Sequence, residues 1–385
     1  MPNVAQVYPI INSMAKQMWG ENALSVVDAR GVIAMGEEVF ASNENKELFY
    51  GVLADRIAKT NLRTLDLELD FPRILRNSYE WGMIISKINI QPMDAQSQEA
   101  WNIADDNFTP TNFKIDKSNV SCTFFKGPIS TWEFDLTIPD RMLKTAFINA
   151  TEFGAFLDGI MEAMSDSMTM ALNNMSYLAI KSFVAEKVKN SNGVINVLAD
   201  YNTQAGTEYD TLTKALDDKE FYRYVGMVMR NVIKYMSKPS KLYNIGGKVR
   251  ATARDNMHIL VSSDFWSGYT TYLSSDTFHD EMVALDGFAE YVTLQGTSNT
   301  GIPNIEKNTK MSIIPPSNAD DDTTPIEVEG VIGIITDREA IFTGYEDMFT
   351  ATDRNNRNRY TNYTSGASVM YGIDTSENGV IIVAH

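Results

Sequence analysis

Residues 151–190 are the feature that most constrains the fold, because apolar side chains recur in them every three or four positions. This spacing puts those side chains on one face of a helix. Thr151 is a suitable N-cap, and Asn192 with Gly193 is a stop signal. Roughly forty helical residues would extend about 60 Å. We predict one long helix; a core helix of a bundle is the simpler alternative, and no heptad register supports a coiled coil.

Composition and charge narrow the class of protein. With 385 residues, of which 44% are hydrophobic and 22% charged, the chain is long enough for two or three domains with a real core. Its formal net charge of -17 argues against direct nucleic-acid binding, which depends on Lys and Arg contacts to phosphates. The sequence has no run of eighteen apolar residues and no signal-peptide pattern, so we expect a soluble protein with no membrane partner.

Residues that build catalytic or metal sites are scarce. The sequence has three histidines, none with another at ligand spacing, and lacks phosphate-loop, dinucleotide, nucleophile-elbow, HExxH and CxxC motifs. The single cysteine, Cys122, is expected to be a small, half-buried residue of a strand. Three consecutive aspartates at 320–322 lack the spacing of a calcium loop and favour a solvated turn. We therefore expect no enzyme activity, no metal and no cofactor.

The first third of the chain changes from helical to strand-like periodicity. Residues 1–60 read as short amphipathic helices interrupted at Gly20, Gly31 and Gly36, which must dock on the rest of the subunit or on a neighbouring one. Residues 62–138 alternate between apolar and polar positions around an acidic middle at 94–106, which predicts a long β-hairpin. Exposed hairpin edges favour packing against another subunit.

The remainder predicts a mixed helix and strand lobe followed by strands. Asp140 is predicted to cap a short helix over residues 141–148, which leads into the long helix. A second helix is predicted over 221–236. Strands are predicted over 331–335, 340–343, 360–371 and 380–383, with a hairpin turn at Asn378-Gly379.

Five residues are candidates for contacts between subunits. Arg354, Arg357 and Arg359 concentrate three cations within six residues of an acidic chain. A solvated turn explains them equally well, and pairing with carboxylates of another subunit is the sharper hypothesis. Trp101 and Trp132, in the strand-rich region, are the other two candidates.

The order of these elements resembles the Hong Kong 97 (HK97) type α+β fold of tailed-phage major capsid proteins. The resemblance is closer to phi-29-like and small podophage head proteins at four places: VLADRI at residues 52–57, LKTAF at 143–147, FGAFLDGIMEAM in the long helix, and the tail from GYEDMFTATDRNNRNRY to NGVIIVA. These motifs are short and structural, and residues 195–325 match least well.

The resemblance implies a division of the chain and a function. Residues 1–60 would be an N-terminal arm, 61–138 the extended loop, 139–194 and 345–385 the peripheral domain with the spine helix, and 195–344 the axial domain. Such a subunit would assemble with itself into pentamers and hexamers of an icosahedral or prolate virion shell, built in the host cytoplasm with a scaffolding and a portal protein as further partners. The shell would enclose double-stranded DNA without sequence-specific binding, and an acidic subunit would tend to repel that DNA.

Three other functions compete with a virion shell. A nanocompartment of the same fold would enclose cargo instead of DNA. An α/β enzyme with a helical lid needs a pocket with a nucleophile and perturbed acids, which the missing motifs disfavour. A tail or adhesion protein would usually show repeats, and the sequence contains none.

Overall fold

The computed structural model has three helices first, helices and strands mixed in the middle, and a run of strands at the end. The structure describes residues 4–20, 23, 25–64, 70–76, 84–90, 120–126, 130–148, 150–274, 288–291, 311–318 and 322–385. The α-helices of these ranges are α1 Val4–Trp19, α2 Ala29–Ala41, α3 Asn43–Thr64, α4 Asp140–Ala146, α5 Ala150–Lys189, α6 Val197–Ala205, α7 Leu212–Ala215, α8 Lys219–Met236 and α9 Ser263–Ser274. The strands are β1 Leu75–Arg76, β2 Ile84–Ile90, β3 Val120–Lys126, β4 Ser130–Pro139, β5 Val194–Asn196, β6 Met257–Ser262, β7 Phe288–Tyr291, β8 Met311–Ile313, β9 Ile326–Val328, β10 Val331–Asp337, β11 Ile341–Asn355, β12 Tyr360–Ile373 and β13 Gly379–Val383.

The predicted long helix is confirmed as α5, which is 40 residues long. It begins at Ala150, so Thr151 lies inside the helix and the prediction that it is the N-cap was wrong by at least one residue. The predicted stop is confirmed, because Gly193 follows the helix with a left-handed φ of 67°. A Cβ atom at Gly193 would lie 2.5 Å from the carbonyl oxygen of Gly379, so both the backbone angle and the space require glycine there.

The chain forms two compact units, of which the first comprises residues 1–82, 128–178 and 342–371. Its four-stranded sheet has the order β1-β11-β12-β4, with β12 and β4 antiparallel from Tyr360 opposite Pro139 to Val369 opposite Ser130. Ile11 and Met14 of α1 are fully buried in one cluster with Phe49 of α3. These helices of the predicted arm therefore pack within their own unit, and a role for the arm between subunits stays a prediction.

Glycines in α2 have a different role from the predicted one. Gly31 and Gly36 lie inside the helix rather than breaking it, whereas Gly20 directly follows α1 with a φ of 66°. A Cβ atom at Gly36 would lie 2.7 Å from the Cβ of Phe147. The glycine thus lets α2 approach the aromatic cluster of Phe147 and Phe153, whose ring centroids are 4.9 Å apart.

The second unit comprises residues 83–127, 179–341 and 372–385. Its five-stranded sheet has the order β5-β13-β10-β6-β7, and every residue of β6 and β13 is buried. Strands buried on both faces need helices packed against them, and α6, α8 and α9 contribute Leu198, Phe221 and Phe265 to this core. The predicted helix over residues 221–236 is confirmed as α8.

Strand pairing corrects one turn and confirms one hairpin. Strand β12 belongs to the four-stranded sheet and β13 to the five-stranded one, so Asn378-Gly379 does not join a hairpin and that prediction was wrong. Strands β2 and β3 pair antiparallel from Ile84 opposite Lys126 to Ile90 opposite Val120, as expected for the base of the predicted hairpin. Cys122 lies in β3 but is exposed, so its predicted burial was wrong. The acidic middle of this predicted hairpin and the residues 319–321 lie outside the described residues.

Candidate functional site

A groove of about 760 Å³ in the first unit collects cationic side chains on an otherwise acidic chain. We call it the basic groove, and its lining residues are Phe40, Asn43, Lys46, Pro139, Asp140, Arg141, Lys144, Arg354, Asn356, Asn358 and Arg359. They come from α2 and α3, from the junction of β4 and α4, and from the end of β11 with its following turn. Five of them are cations and one is a carboxylate, which makes the groove suited to anionic groups.

Arg354 and Asp140 form the structural centre of the basic groove. The Arg354 guanidinium donates from Nη1 to Asp140 Oδ1 at 3.0 Å and from Nη2 to Asp140 Oδ2 at 2.9 Å. Its Nε donates to Asn356 Oδ1 at 2.9 Å, and its guanidinium carbon lies 5.9 Å from the ring centre of Tyr50. The two side chains are 7% and 14% exposed, so a two-point hydrogen bond fixes β11 against the start of α4 out of water.

The environment of the Arg354–Asp140 pair shifts the pKa values of both residues and of the neighbouring Tyr50. Burial acts to raise the pKa of Asp140, but the hydrogen bonds and positive charge of Arg354, with a further contribution from Lys46 at 3.7 Å, outweigh it and lower the pKa below 3.8. The hydrogen bonds to Asp140 raise the pKa of Arg354. Burial raises the pKa of Tyr50 to about 12. The pair is therefore fully ionised near neutral pH and the tyrosine is neutral.

The side chain of Asp140 does not perform the predicted capping. The N-cap of α4 is Pro139, and Asp140 is the first residue of the helix with its carboxylate committed to Arg354. Its backbone N–H donates to the carbonyl oxygen of Arg359 at 3.0 Å, and Arg359 has a left-handed φ of 53°. The turn after β11 is thus attached to α4 through both side chain and backbone.

The structure brings some of the predicted contact residues together and not others. Arg354 and Arg359 line the basic groove, whereas Arg357 is exposed in the same turn outside the lining. Trp132 of β4 is half-buried beside a cluster that includes Met168 of α5, so its side chain serves the core of its own unit. Trp101 lies outside the described residues. A role for these residues between subunits stays a prediction.

A second charged cluster in the second unit attaches the β2–β3 hairpin to strand ends of the five-stranded sheet. Lys87 of β2 donates from Nζ to Asp374 Oδ2 at 2.9 Å and to Glu377 Oε1, and lies 3.3 Å from Glu339 Oε2. Arg250 Nη2 lies 3.3 Å from Glu377 Oε1. We call these five residues the Lys87 cluster. It links residues up to 290 positions apart in sequence.

Because its carboxylates are buried, the Lys87 cluster is sensitive to the loss of the positive charge of Lys87. The side chains of Asp374 and Glu377 are 5% and 8% exposed. Burial acts to lower the pKa of Lys87, but hydrogen bonds to Glu377 and Asp374 outweigh it and raise the pKa. Burial raises the pKa of Glu377, and Lys87 only partly opposes this. Removing Lys87 would leave buried carboxylates with less compensation.

Sequence reasoning missed most residues of the basic groove and of the Lys87 cluster. Asp140 and Arg354 are 214 positions apart, and no local pattern pairs them. Lys46, Arg141 and Lys144 gave no signal, since each is an ordinary cation of an amphipathic helix. Lys87 did carry one, because it is a lone charge within the apolar strand IISKINI.

Other kinds of site are not found in the described part of the chain. No group of three or more His, Cys, Asp or Glu side chains within it could hold a metal ion. None of its helices combines the length and the apolar character that crossing a membrane requires.

Comparison with protein families gives a match that spans nearly the whole chain. The model of the Phi29-like phage major capsid protein family matches residues 11–383. No curated protein matches the chain.

Solved structures of phage capsids share the fold of this chain at low sequence identity. A chain from the capsid structure of Staphylococcus phage Andhra is 10% identical, with a TM-score of 0.52, over 81% of this chain and 83% of that one. A chain from the structure of the head fiber and inner core protein gp22 of native bacteriophage P68 is 11% identical, with a TM-score of 0.55, over 83% of this chain and 85% of that one. At such identities the likeness concerns the fold alone.

Proposed function

Because the chain belongs to the Phi29-like phage major capsid protein family, we propose how its parts divide the work of building a shell. The fold is of the HK97 type, and the chain is a capsid protein of a podovirus virion that forms a shell of many subunits. The observation that carries this conclusion is the family match over residues 11–383. Neither a cargo-holding nanocompartment nor an α/β enzyme is favoured.

The proposed domains follow the order of the elements. Residues 1–60 are the arm, 61–138 the extended loop, 139–194 and 345–385 the peripheral domain with α5 as its spine, and 195–344 the axial domain. Hydrogen bonds between β13 and β10 support a close tie between the end of the chain and the axial sheet. The Lys87 cluster supports a fixed attachment of the loop base. The Arg354–Asp140 pair supports a fixed attachment of the β11–β12 turn.

Assembly proceeds by repeated contacts between identical subunits in pentamers and hexamers. A hairpin has edge strands with unpaired backbone groups, and covering them with a neighbouring subunit removes this cost. In a closed shell every subunit gains the same contacts, so interfaces that are individually weak are stable together. Arg354, Arg357, Arg359, Trp101 and Trp132 are candidates for such contacts, Arg354 through the turn that it positions.

The partners and the place of assembly follow from this role. A scaffolding protein directs closure of the shell and a portal protein occupies one vertex, in the cytoplasm of the host. The enclosed double-stranded DNA is held without sequence-specific contacts, because an acidic subunit repels phosphates more than it binds them. The protein carries no catalytic activity, as a structural role does not need one.

Electron microscopy of the protein expressed alone tests this function. We expect round shells, tubes or capsomer rings in negative stain, and the corresponding early-eluting material in size-exclusion chromatography. A uniform monomer of 43.1 kDa that stays monomeric when a scaffolding protein or a crowding agent is added would contradict it.

A further inference from the structure

The basic groove holds more positive charge than the described residues of its own chain neutralise. Asp140 pairs with Arg354 and Lys46. Among the described residues, no carboxylate pairs with the exposed cations Arg141, Lys144 and Arg359 that share the lining. A groove with unpaired cations in a chain of net charge -17 needs an explanation beyond folding.

The geometry of the groove favours carboxylates as its ligands. Arg141 and Lys144 are one helical turn apart on α4, so both present charge on one side of the groove. The backbone of Arg359, another lining residue, is held at the start of α4 because the Asp140 N–H donates to its carbonyl oxygen. The side-chain amides of Asn43, Asn356 and Asn358 add hydrogen-bond donors to the same lining. Guanidinium, ammonium and amide donors grouped in one groove suit several carboxylate groups at once.

Charge complementarity identifies a second copy of the chain as the occupant. Each subunit carries 50 Asp and Glu against 33 Lys and Arg, so neighbouring copies repel each other unless positive charge is placed where they meet. The densest acidic run of the sequence is at 320–322, and shorter runs occur at 105–106 and 217–218. We propose that the basic groove receives a carboxylate-rich segment of a neighbouring copy and so sets which surfaces of two acidic subunits meet. This inference rests on the proposed shell function.

A charge-reversal experiment tests the proposal. The variant Arg141→Glu/Lys144→Glu changes two exposed groove cations that pair with no carboxylate in the described part of the chain. The control variant Lys234→Glu/Lys238→Glu makes the same change in charge at two exposed lysines at the end of α8, outside the groove. The concentration of protein at which shells appear is measured by sedimentation and negative-stain microscopy after nuclease treatment. We expect it to rise at least tenfold for the groove variant and to stay within threefold of wild type for the control.

The outcomes separate the groove from the shell function itself. Wild-type protein that forms no assembly contradicts the proposed function, whereas wild-type shells with an unaffected groove variant overturn only the inference. Equal defects in both variants would show an effect of net charge and overturn it too. So would a groove variant that assembles normally and loses only co-purifying DNA, since the groove would then bind phosphates. Thermal melting checks that each variant folds. If the charge-reversal variant does not fold, Arg141→Gln/Lys144→Gln replaces it, and the protein concentration at which shells appear is then expected to rise more than threefold.

Discussion

At the scale of single residues, Arg354 has a role that no other side chain can take over. Its two parallel hydrogen bonds to Asp140 need a planar guanidinium, and both groups are largely buried. Replacing Arg354 with Met leaves the Asp140 carboxylate buried with only the more distant Lys46, which should lower the free energy of unfolding by about 3 kcal/mol. Urea unfolding of the unassembled subunit measures this loss.

Arg357 provides the control for that experiment. It lies in the turn after the same strand, but it is exposed. Arg357→Met should change the free energy of unfolding by less than about 0.5 kcal/mol. Equal losses of unfolding free energy in the two variants would mean that the Arg354–Asp140 pair stabilises the protein no more than an exposed arginine does.

The pKa of Asp140 gives this pair a defined pH dependence. Because the folded state lowers the pKa below 3.8, the charged pair stabilises the protein fully above that ordinary value and loses its effect as the pH falls through the lowered pKa. Asp140→Asn should therefore be less stable than wild type at pH 6, and the difference should shrink steadily below about pH 4. Denaturant midpoints across pH 2.5–7 measure the difference. A gap that stays constant over this range would contradict the assignment.

At the scale of single elements, the end of α5 depends on Gly193 for two separable reasons. Gly193→Ala imposes a side chain on a left-handed backbone and also brings its Cβ within 2.5 Å of the Gly379 carbonyl oxygen. Gly206, the C-cap of α6, has the same φ of 67° and no atom within 4 Å of the added Cβ. Gly206→Ala should cost about 1 kcal/mol from the backbone alone, and Gly193→Ala about 1–3 kcal/mol more.

Thermal and urea unfolding of the two glycine variants measures both terms. Similar losses at the two positions would show that the contact with Gly379 relaxes at no cost. The pairing of β5 with β13, which begins beside Gly193, would then be less rigid than the packing of this turn indicates.

The Lys87 cluster makes the attachment of a hairpin depend on one cation. Lys87→Met should leave the buried Asp374 and Glu377 less compensated and loosen β2 and β3, because the ion pairs that join β2 to these two carboxylates are lost. We expect amide hydrogen exchange in residues 84–90 and 120–126 to become about tenfold faster, which corresponds to ~1.4 kcal/mol of local stability. Mass spectrometry of peptides from these strands measures the rates.

Ile88→Thr is the matched control, because it changes the next residue of the same strand. The Ile88 side chain is 67% exposed, and threonine keeps the branched side chain that strands favour. Its exchange rates should stay within about threefold of wild type, a change of less than ~0.7 kcal/mol. If both variants exchange alike, the cluster does not hold the hairpin.

Elements were predictable from the sequence where their signal is local. The apolar spacing of residues 151–190 and 221–236 depends on the period of the helix alone, and both helices formed as predicted. Sheet membership depends on the whole chain, so Asn378-Gly379 resembled a hairpin turn although β12 and β13 pair with different partners. Gly36 resembled a helix break because its packing partner, Phe147, is 111 positions away in the printed sequence. Of the residues that line the basic groove, the sequence pattern pointed to Arg354 and Arg359 as candidate site residues, because their cluster is local whereas the pairing with Asp140 is not.

At the scale of the whole molecule, the net charge of -17 opposes assembly at every interface. Repulsion between whole subunits acts over longer distances than the contact of paired groups, so salt weakens it first. Raising NaCl from 0.01 to 0.15 M shortens the screening length from about 30 to about 8 Å. We therefore expect the protein concentration needed for shells to fall at least threefold over this range.

Light scattering and sedimentation at matched protein concentrations measure that dependence. Sucrose at the same osmolarity is the control, because it changes water activity without screening charge. A threshold concentration that rises with NaCl would mean that attractive charge pairs outweigh the repulsion of acidic subunits. The shell would then be held together by contacts such as the basic groove more than by burial of apolar surface, and the cost of its net charge would be small.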